Sequence, residues 1–287
     1  MLPVECMTNP DLGSWVSAKI AQLQGNTEFP AIEVRAIVSY VLQKPVEWIV
    51  AHPATVLNYD QIKDLETATA RLINGEPLAY ITGRRSFFGL DLMVDKSVLV
   101  PRPETELLVD LAIDWLRSKP GRTRVADIGT GSGAIAIALA NQIPALAITA
   151  IDSSEGALEV ARANATRYNL EDRIDFLHND LLEGVDREFD LILANLPYIP
   201  SPVVNQLAVV KHEPRYALDG GPDGLHFIER LIYTCKKNLV QNGCIFLEIQ
   251  YNQENKVRKI ALSQFPQAEI SIFPDLAALP RVVKIQL

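Results

Sequence analysis

Between Arg124 and Ala194 the chain repeats one pattern four times, a short apolar run that stops on a polar or glycine-rich tip. The runs are 124–128, 147–151, 174–178 and 189–194. Their tips are Gly129-Thr-Gly-Ser-Gly133, Asp152, Asn179-Asp180 and Asn195-Leu-Pro-Tyr198. Helical sequence lies between them, and an apolar helix pattern opens at Ala134 directly behind the first tip. Alternating strands and helices of this kind predict a parallel sheet covered on both faces. Ligands of such open sheets bind at the carboxyl ends of the strands, so the four tips are expected to share one crevice. A helix N-cap explains any single Asp among them, but not all four tips in order.

The first tip is a glycine-rich turn that lets a ligand approach the backbone closely. Its G-x-G-x-G spacing differs from the G-x-G-x-x-G of dinucleotide sites. Asp127 precedes it by two positions. That carboxylate would repel a diphosphate and would favour a cationic cofactor bearing an α-amino group. The loop resembles motif I of S-adenosylmethionine (SAM) methyltransferases. The resemblance implies that Asp127, Gly129, Thr130, Gly131, Ser132 and Gly133 bind SAM and release S-adenosylhomocysteine. Asp152 lies 19 residues after Gly133, close to the ~20-residue spacing at which an acidic side chain takes ribose hydroxyls. Asp180, with Leu181 beside it, is expected to meet the adenine amino group.

Asn195-Leu196-Pro197-Tyr198 is suited to holding a planar NH2 group. The side-chain oxygen of Asn195 and the carbonyl of Leu196 can each accept one N–H. Pro197 fixes its own φ and biases Leu196 towards an extended conformation. Tyr198 offers a ring to stack on the planar group. The tetrapeptide resembles the Asn-Pro-Pro-Tyr signature of methyltransferases acting on adenine N6 or the glutamine side-chain amide. That likeness assigns the chemistry to Asn195, Leu196, Pro197 and Tyr198, with Asn195 also at the cofactor.

Residues 1–79 read as a helical domain, with helical spacing over 15–23, 31–42 and 58–73 and a breaker at His52-Pro53. The pattern turns β-like over 80–100, where Phe87 to Val94 suit a hairpin linking this domain to the methyltransferase domain, 101–287. Runs 244–249 and 281–286 read as the final strands, forming an antiparallel pair. The formal charge of −8 argues against bulk nucleic-acid binding, which uses a basic face. Three cysteines (Cys6, Cys235, Cys244) without metal-ligand spacing read as reduced thiols in a cytoplasmic protein, and four scattered histidines suggest no metal site. No signal peptide or membrane-spanning run is apparent.

Three further stretches make the likeness specific. Val98-Leu-Val-Pro-Arg-Pro-Glu-Thr-Glu106, Glu213-Pro-Arg-Tyr-Ala-Leu-Asp-Gly-Gly-Pro-Asp-Gly-Leu225 and Gly75-Glu-Pro-Leu-Ala-Tyr-Ile-Thr-Gly83 resemble segments of the protein-(glutamine-N5) methyltransferases that modify class 1 peptide chain release factors. Together with the helical N-terminal region, the likeness covers nearly the whole chain. It implies a Rossmann-like class I SAM methyltransferase sheet, mostly parallel with an antiparallel last strand, beside a small N-terminal domain that recognises the substrate. It also implies a substrate site that adds Arg102 and Glu104 to the tetrapeptide, a release factor as partner, no stable nucleic-acid or membrane binding, and a monomer. Two positions depart from the pattern. Leu196 stands where the family usually has Pro, a feature familiar in rRNA adenine dimethyltransferases, and Gln250 stands where it tends to have Gly. The segment around Gln250 is assigned packing alone. The alternatives are an adenine-N6 methyltransferase, which would need a basic groove, and a catalytically silent SAM-fold subunit, which intact Asp152, Asp180 and Asn195 oppose.

Overall fold

The structure, a computed structural model, describes residues 9–287. Cys6 lies outside the described residues. The chain divides into two compact units, one ending at Gly83 and the other comprising Arg84–Leu287.

The first unit contains α1 (Leu12–Leu23), α2 (Pro30–Leu42), α3 (Val46–Ala51), α4 (Tyr59–Ile73) and α5 (Leu78–Thr82). Local chemistry sets the starts of the long helices. The Asp11 carboxylate accepts from Ser14 N at 2.8 Å to cap α1. Asn58 and Gln61 exchange hydrogen bonds of 2.8 and 2.9 Å in a capping box at α4. Apolar faces of these helices bury Leu12, Trp15, Leu23, Val34, Ile37 and Leu65 in one core. The three periodic runs correspond to α1, α2 and α4. The β-like reading of the chain from Tyr80 is corrected: residues 80–82 close α5, which Gly83 ends in the left-handed region at φ 70°.

The second unit opens with a hairpin, β1 (Arg84–Phe87) and β2 (Leu90–Met93). Phe88 and Gly89 both turn with positive φ, 50° and 74°, as a tight hairpin of two residues requires. Then follow α6 (Glu106–Ser118), β3 (Arg124–Ile128), α7 (Ala134–Gln142), β4 (Ala147–Asp152), α8 (Glu155–Arg167), β5 (Ile174–His178), β6 (Phe189–Ala194), α9 (Ser201–Val204), α10 (His226–Thr234), β7 (Leu239–Glu248), α11 (Glu254–Gln264), β8 (Glu269–Pro274) and β9 (Pro280–Gln286). The hairpin is fastened to α8. Asn164, fully buried, accepts from Met93 N at 2.7 Å and donates to the carbonyls of Met93 and Ser132, each at 2.9 Å.

Seven strands form one sheet in the order β5-β4-β3-β6-β7-β9-β8. The first five are parallel, and β9 runs antiparallel to both β7 and β8. The expected antiparallel pairing of the last strands holds for β7 and β9, and β8 is an edge strand the sequence reading did not contain. Successive residues of β6 serve opposite cores: Leu191 and Leu193 pack with α6 and α7, Ile192 and Ala194 with α10 and α11. A strand buried on both faces reads as a continuous apolar run, as 189–194 does. The described helices include none long and apolar enough to cross a membrane.

Asp190, near the start of β6, ties the amino-terminal ends of the strands together. It accepts from Arg124 N at 3.0 Å, Thr123 N at 3.1 Å and Arg122 Nη1 at 2.9 Å. Burial pushes its pKa up, but these bonds and the Arg124 side chain outweigh burial and hold it at about 2. A carboxylate with a depressed folded-state pKa stabilises fully above its unfolded pKa and loses that contribution as pH falls. Asp190 is therefore expected to contribute about 2 kcal/mol that disappears between about pH 4 and pH 2. Urea melts over that range should show a shallower pH dependence for Asp190→Asn, and equal slopes would refute the assignment.

Candidate active site

A cleft opens at the carboxyl ends of β3, β4 and β6. It sits where the strand order reverses between β3 and β6, the place at which open α/β sheets bind ligands. All four tips reach it: Gly129 to Ser132, Asp152 with Ser153, Asn179 to Leu181, and Asn195 to Pro197 line its wall. The shared crevice expected from the tips is present.

The glycine turn carries three positive φ angles, 72° at Gly129, 56° at Gly131 and 80° at Gly133. A side chain at Gly129 would put Cβ 3.1 Å from Leu196 Cδ2. Gly131 N donates to Asp152 Oδ2 at 2.9 Å and Ser154 N donates to Oδ1 at 2.9 Å. Both Asp152 oxygens thus hold backbone while keeping further acceptor capacity. Burial raises the Asp152 pKa, and the amides of Gly131, Ser154 and Ser153 oppose that shift.

Asp127 and Gly133 do not reach the wall. Asp127 is fully buried beneath the turn, where its Oδ2 accepts from Thr130 Oγ1 at 2.7 Å and Ala136 N at 3.2 Å. Burial lifts its pKa to about 6 against those two bonds. Its Oδ2 thus braces the loop from behind, while its other oxygen, Oδ1, is buried without a hydrogen-bond partner. Gly133 caps α7, where an added Cβ would lie 2.9 Å from Ile137 Cδ1. Leu181, at φ 50°, lines the cleft wall, as do the apolar residues Ile135, Ile151 and Phe227. Asp180 lines the same wall, and its Oδ2 accepts from Arg230 at 2.8 Å.

At the fourth tip, Asn195 Nδ2 donates to Thr105 Oγ1 at 2.9 Å, and Thr105 Oγ1 donates to Glu248 Oε2 at 2.7 Å. With one N–H of its NH2 donated to Thr105, the Asn195 side chain keeps its oxygen as an acceptor. Leu196 buries its side chain in the α10–α11 core, so its place in the tip is a backbone one. Tyr198 is not part of the cleft wall: its hydroxyl donates to Glu248 Oε1 at 3.1 Å. Burial and the neighbouring Glu248 carboxylate push the Tyr198 pKa far up.

The segment 213–225 forms the backing of this tip. Gly220 N donates to Ile199 O at 2.8 Å, Ile199 N to Leu218 O at 3.1 Å and Ser201 N to Gly221 O at 2.8 Å. Gln253, nearly fully buried, donates from Nε2 to Tyr198 O at 3.0 Å and Gly224 O at 3.1 Å. Arg102 lines the cleft, but its Nη2 donates to both oxygens of buried Glu213 at 2.7 and 2.8 Å. Tyr216 OH donates to Ser97 O at 2.7 Å. The segments 98–106, 195–198 and 213–225 are thus bonded into one unit. Glu104 is exposed and off the wall, whereas its neighbour Thr105 is on it.

Sequence reasoning missed Thr105, Glu248 and Gln253. Thr105 and Glu248 stand 143 positions apart, a distance at which no local spacing rule links two residues. The assignment of packing alone to the end of β7 is corrected: Glu248 anchors the tip, and Gln250 N donates to Gln253 Oε1 at 3.0 Å.

A family model described as the methyltransferase small domain matches residues 105–212, and one described as the PrmC N-terminal domain matches residues 14–83. The chain is 37% identical over 263 residues to a release factor glutamine methyltransferase of Coxiella burnetii, covering 91% of this chain and 94% of that protein. It is 36% identical to a protein of the same name from Caulobacter vibrioides, covering 96% of each. A solved methyltransferase structure from Pyrococcus furiosus is similar at TM-score 0.52 and 18% identity over 77% of this chain and 98% of that one, a likeness of fold.

Proposed function

The chain belongs to the release factor glutamine methyltransferase family, and from that membership we propose that it methylates the side-chain amide nitrogen (N5) of the glutamine in the Gly-Gly-Gln motif of class 1 peptide chain release factors, with SAM as donor. The observation that carries this reading is the Asn195 side chain, whose NH2 is engaged by Thr105 so that its oxygen is left to accept. A substrate NH2 needs acceptors, and a second is available at the Leu196 carbonyl.

The cleft suits SAM. Gly131 leaves open space where a Cβ would stand, the Asp152 carboxylate offers spare lone pairs for ribose hydroxyls, and Ile135, Ile151, Leu181 and Phe227 supply an apolar slot for a purine. When bound, SAM supplies an electrophilic methyl group. The residues of the chain then have a geometric task. An amide nitrogen is a poor nucleophile because its lone pair is delocalised into the carbonyl. Two acceptors on its N–H groups return electron density to it and hold it facing the methyl group. Orientation of this kind is worth up to ~7–11 kcal/mol in well-aligned systems. We assign release-factor recognition to the helical unit ending at Gly83, because every residue of the cleft wall belongs to the other unit.

Incubation with labelled SAM and either purified release factor or adenine-containing nucleic acid tests the reading. Label is expected on the glutamine of the release factor. Label on adenine alone would replace it with the adenine-N6 alternative.

The cofactor assignment has its own expected result. Asp152→Ala should weaken SAM binding by about 1.5–3 kcal/mol through lost charge-assisted hydrogen bonds. Calorimetry on the folded variant measures this directly, and an unchanged Kd would sink the ribose role of Asp152.

A further inference from the structure

Glu248 is 1% exposed at the end of β7, and the cleft wall does not include it. Its two oxygens accept from the hydroxyls of Thr105 and Tyr198. In its ionised form this carboxylate has no proton to donate, and the Thr105 hydroxyl hydrogen is then committed to it. That leaves Thr105 Oγ1 only lone pairs to offer Asn195, and only the NH2 end of the Asn195 amide can use them. The two ends of an asparagine amide are nearly the same shape, and their placement follows from the surrounding hydrogen bonds. Flipped, Asn195 would present N–H donors to a substrate that itself offers N–H donors.

We propose that Glu248, acting through Thr105, is the positioning residue that fixes which end of the Asn195 amide faces the substrate. The proposal rests on the reading of Asn195 as an acceptor for the substrate amide and adds to it the source of that orientation. Burial and the Glu104 charge raise the Glu248 pKa, and the hydrogen bonds from Thr105 and Tyr198 and the nearby Arg281 guanidinium oppose that shift. The same carboxylate holds the Tyr198 hydroxyl, so both ends of the tetrapeptide are referred to one buried group.

The test uses the full-length enzyme with SAM and intact release factor. Thr105→Val preserves shape and removes the hydroxyl, and it is expected to lower kcat at least about tenfold while leaving the Kd for SAM nearly unchanged and lowering the thermal midpoint by only a few degrees, about 2–4 °C per kcal/mol lost. Thr105→Ser should restore most of the rate, because the hydroxyl and not the methyl carries the effect. Glu248→Gln should also lower kcat more than it changes KM. With Tyr198→Phe as the common background, which removes the other hydroxyl that Glu248 holds, the double variant of Glu248→Gln and Thr105→Val should lose little more than Thr105→Val alone, since Thr105 then carries the link from Glu248 to Asn195. Wild-type kcat in Thr105→Val, or losses that simply add in the double variant, would overturn the proposal. If Glu248→Gln does not fold, Thr105→Val and its Ser rescue decide the matter alone. A wild-type enzyme that leaves release-factor glutamine unmodified would instead remove the functional reading, and the proposal with it.

Discussion

An Asn195→Ala enzyme is expected to keep its SAM affinity within a few-fold and to transfer methyl groups about 100- to 1000-fold more slowly, the scale on which enzymes lose rate when one preorganised polar group is removed from the reacting centre. The substitution deletes the acceptor for one substrate N–H and leaves the Leu196 carbonyl as a lone partner. An amide held at one point can rotate away from the attacking direction, so the loss falls on the transition state more than on binding. It also frees Thr105 Oγ1, which loses its donor from Nδ2 at 2.9 Å. Single-turnover rates on preformed enzyme–SAM complex with release factor read the effect. A variant within threefold of wild type would mean that the reacting nitrogen is held by something other than Asn195.

Gly224→Ala and Gly220→Ala are expected to do comparable damage from behind the tip. A Cβ at Gly224 would lie 2.2 Å from Tyr198 O and 2.8 Å from Gln253 Nε2, and the backbone there has φ +79°. A Cβ at Gly220 would lie 2.6 Å from Pro197 O and 2.8 Å from Tyr198 Cα. Neither clash can be relieved by turning a flexible side chain alone. The backbone of the tetrapeptide must move, and a displacement near 1 Å at a reacting centre costs about 100-fold in rate. Overpacking of this kind also costs about 1–3 kcal/mol of stability. Melting curves and kcat measured together separate the two: a stable Gly224→Ala enzyme with normal turnover would show that the 213–225 segment does not set the position of the tip.

The architecture was legible because its signal is local. Four apolar runs with polar ends, together with 3.6-residue spacing before residue 80, identify β3 to β6 and the long helices without any knowledge of contacts. β8 escaped because Glu269-Ile-Ser-Ile-Phe-Pro274 is a half-exposed edge strand, short of the unbroken apolar character of the interior ones. The cleft residues on the tips were legible for the same local reason. The bracing role of Asp127 was not legible, because a carboxylate beside a glycine turn can face the ligand or brace the turn from behind. Its Oδ2 bonds to Thr130 Oγ1 and Ala136 N supply the bracing, and both depend on how the turn closes. Tyr198 was expected to offer its ring to a ligand, but the position of its hydroxyl depends on Glu248, 50 residues away. Residues joined only by folding, such as Thr105 with Glu248, leave no trace in local order.

Gly129 and Leu196 share one small volume, since a Cβ on the first would press on Cδ2 of the second. Position 196 puts its side chain into the core, so what that side chain must satisfy is a size limit set by its neighbour across the sheet. A search pattern that insists on proline there tests a covalent ring where the fold asks for bulk. Such a pattern would discard sequences like this one. One that reads positions 129 and 196 as a pair, glycine facing an aliphatic side chain, would retain them.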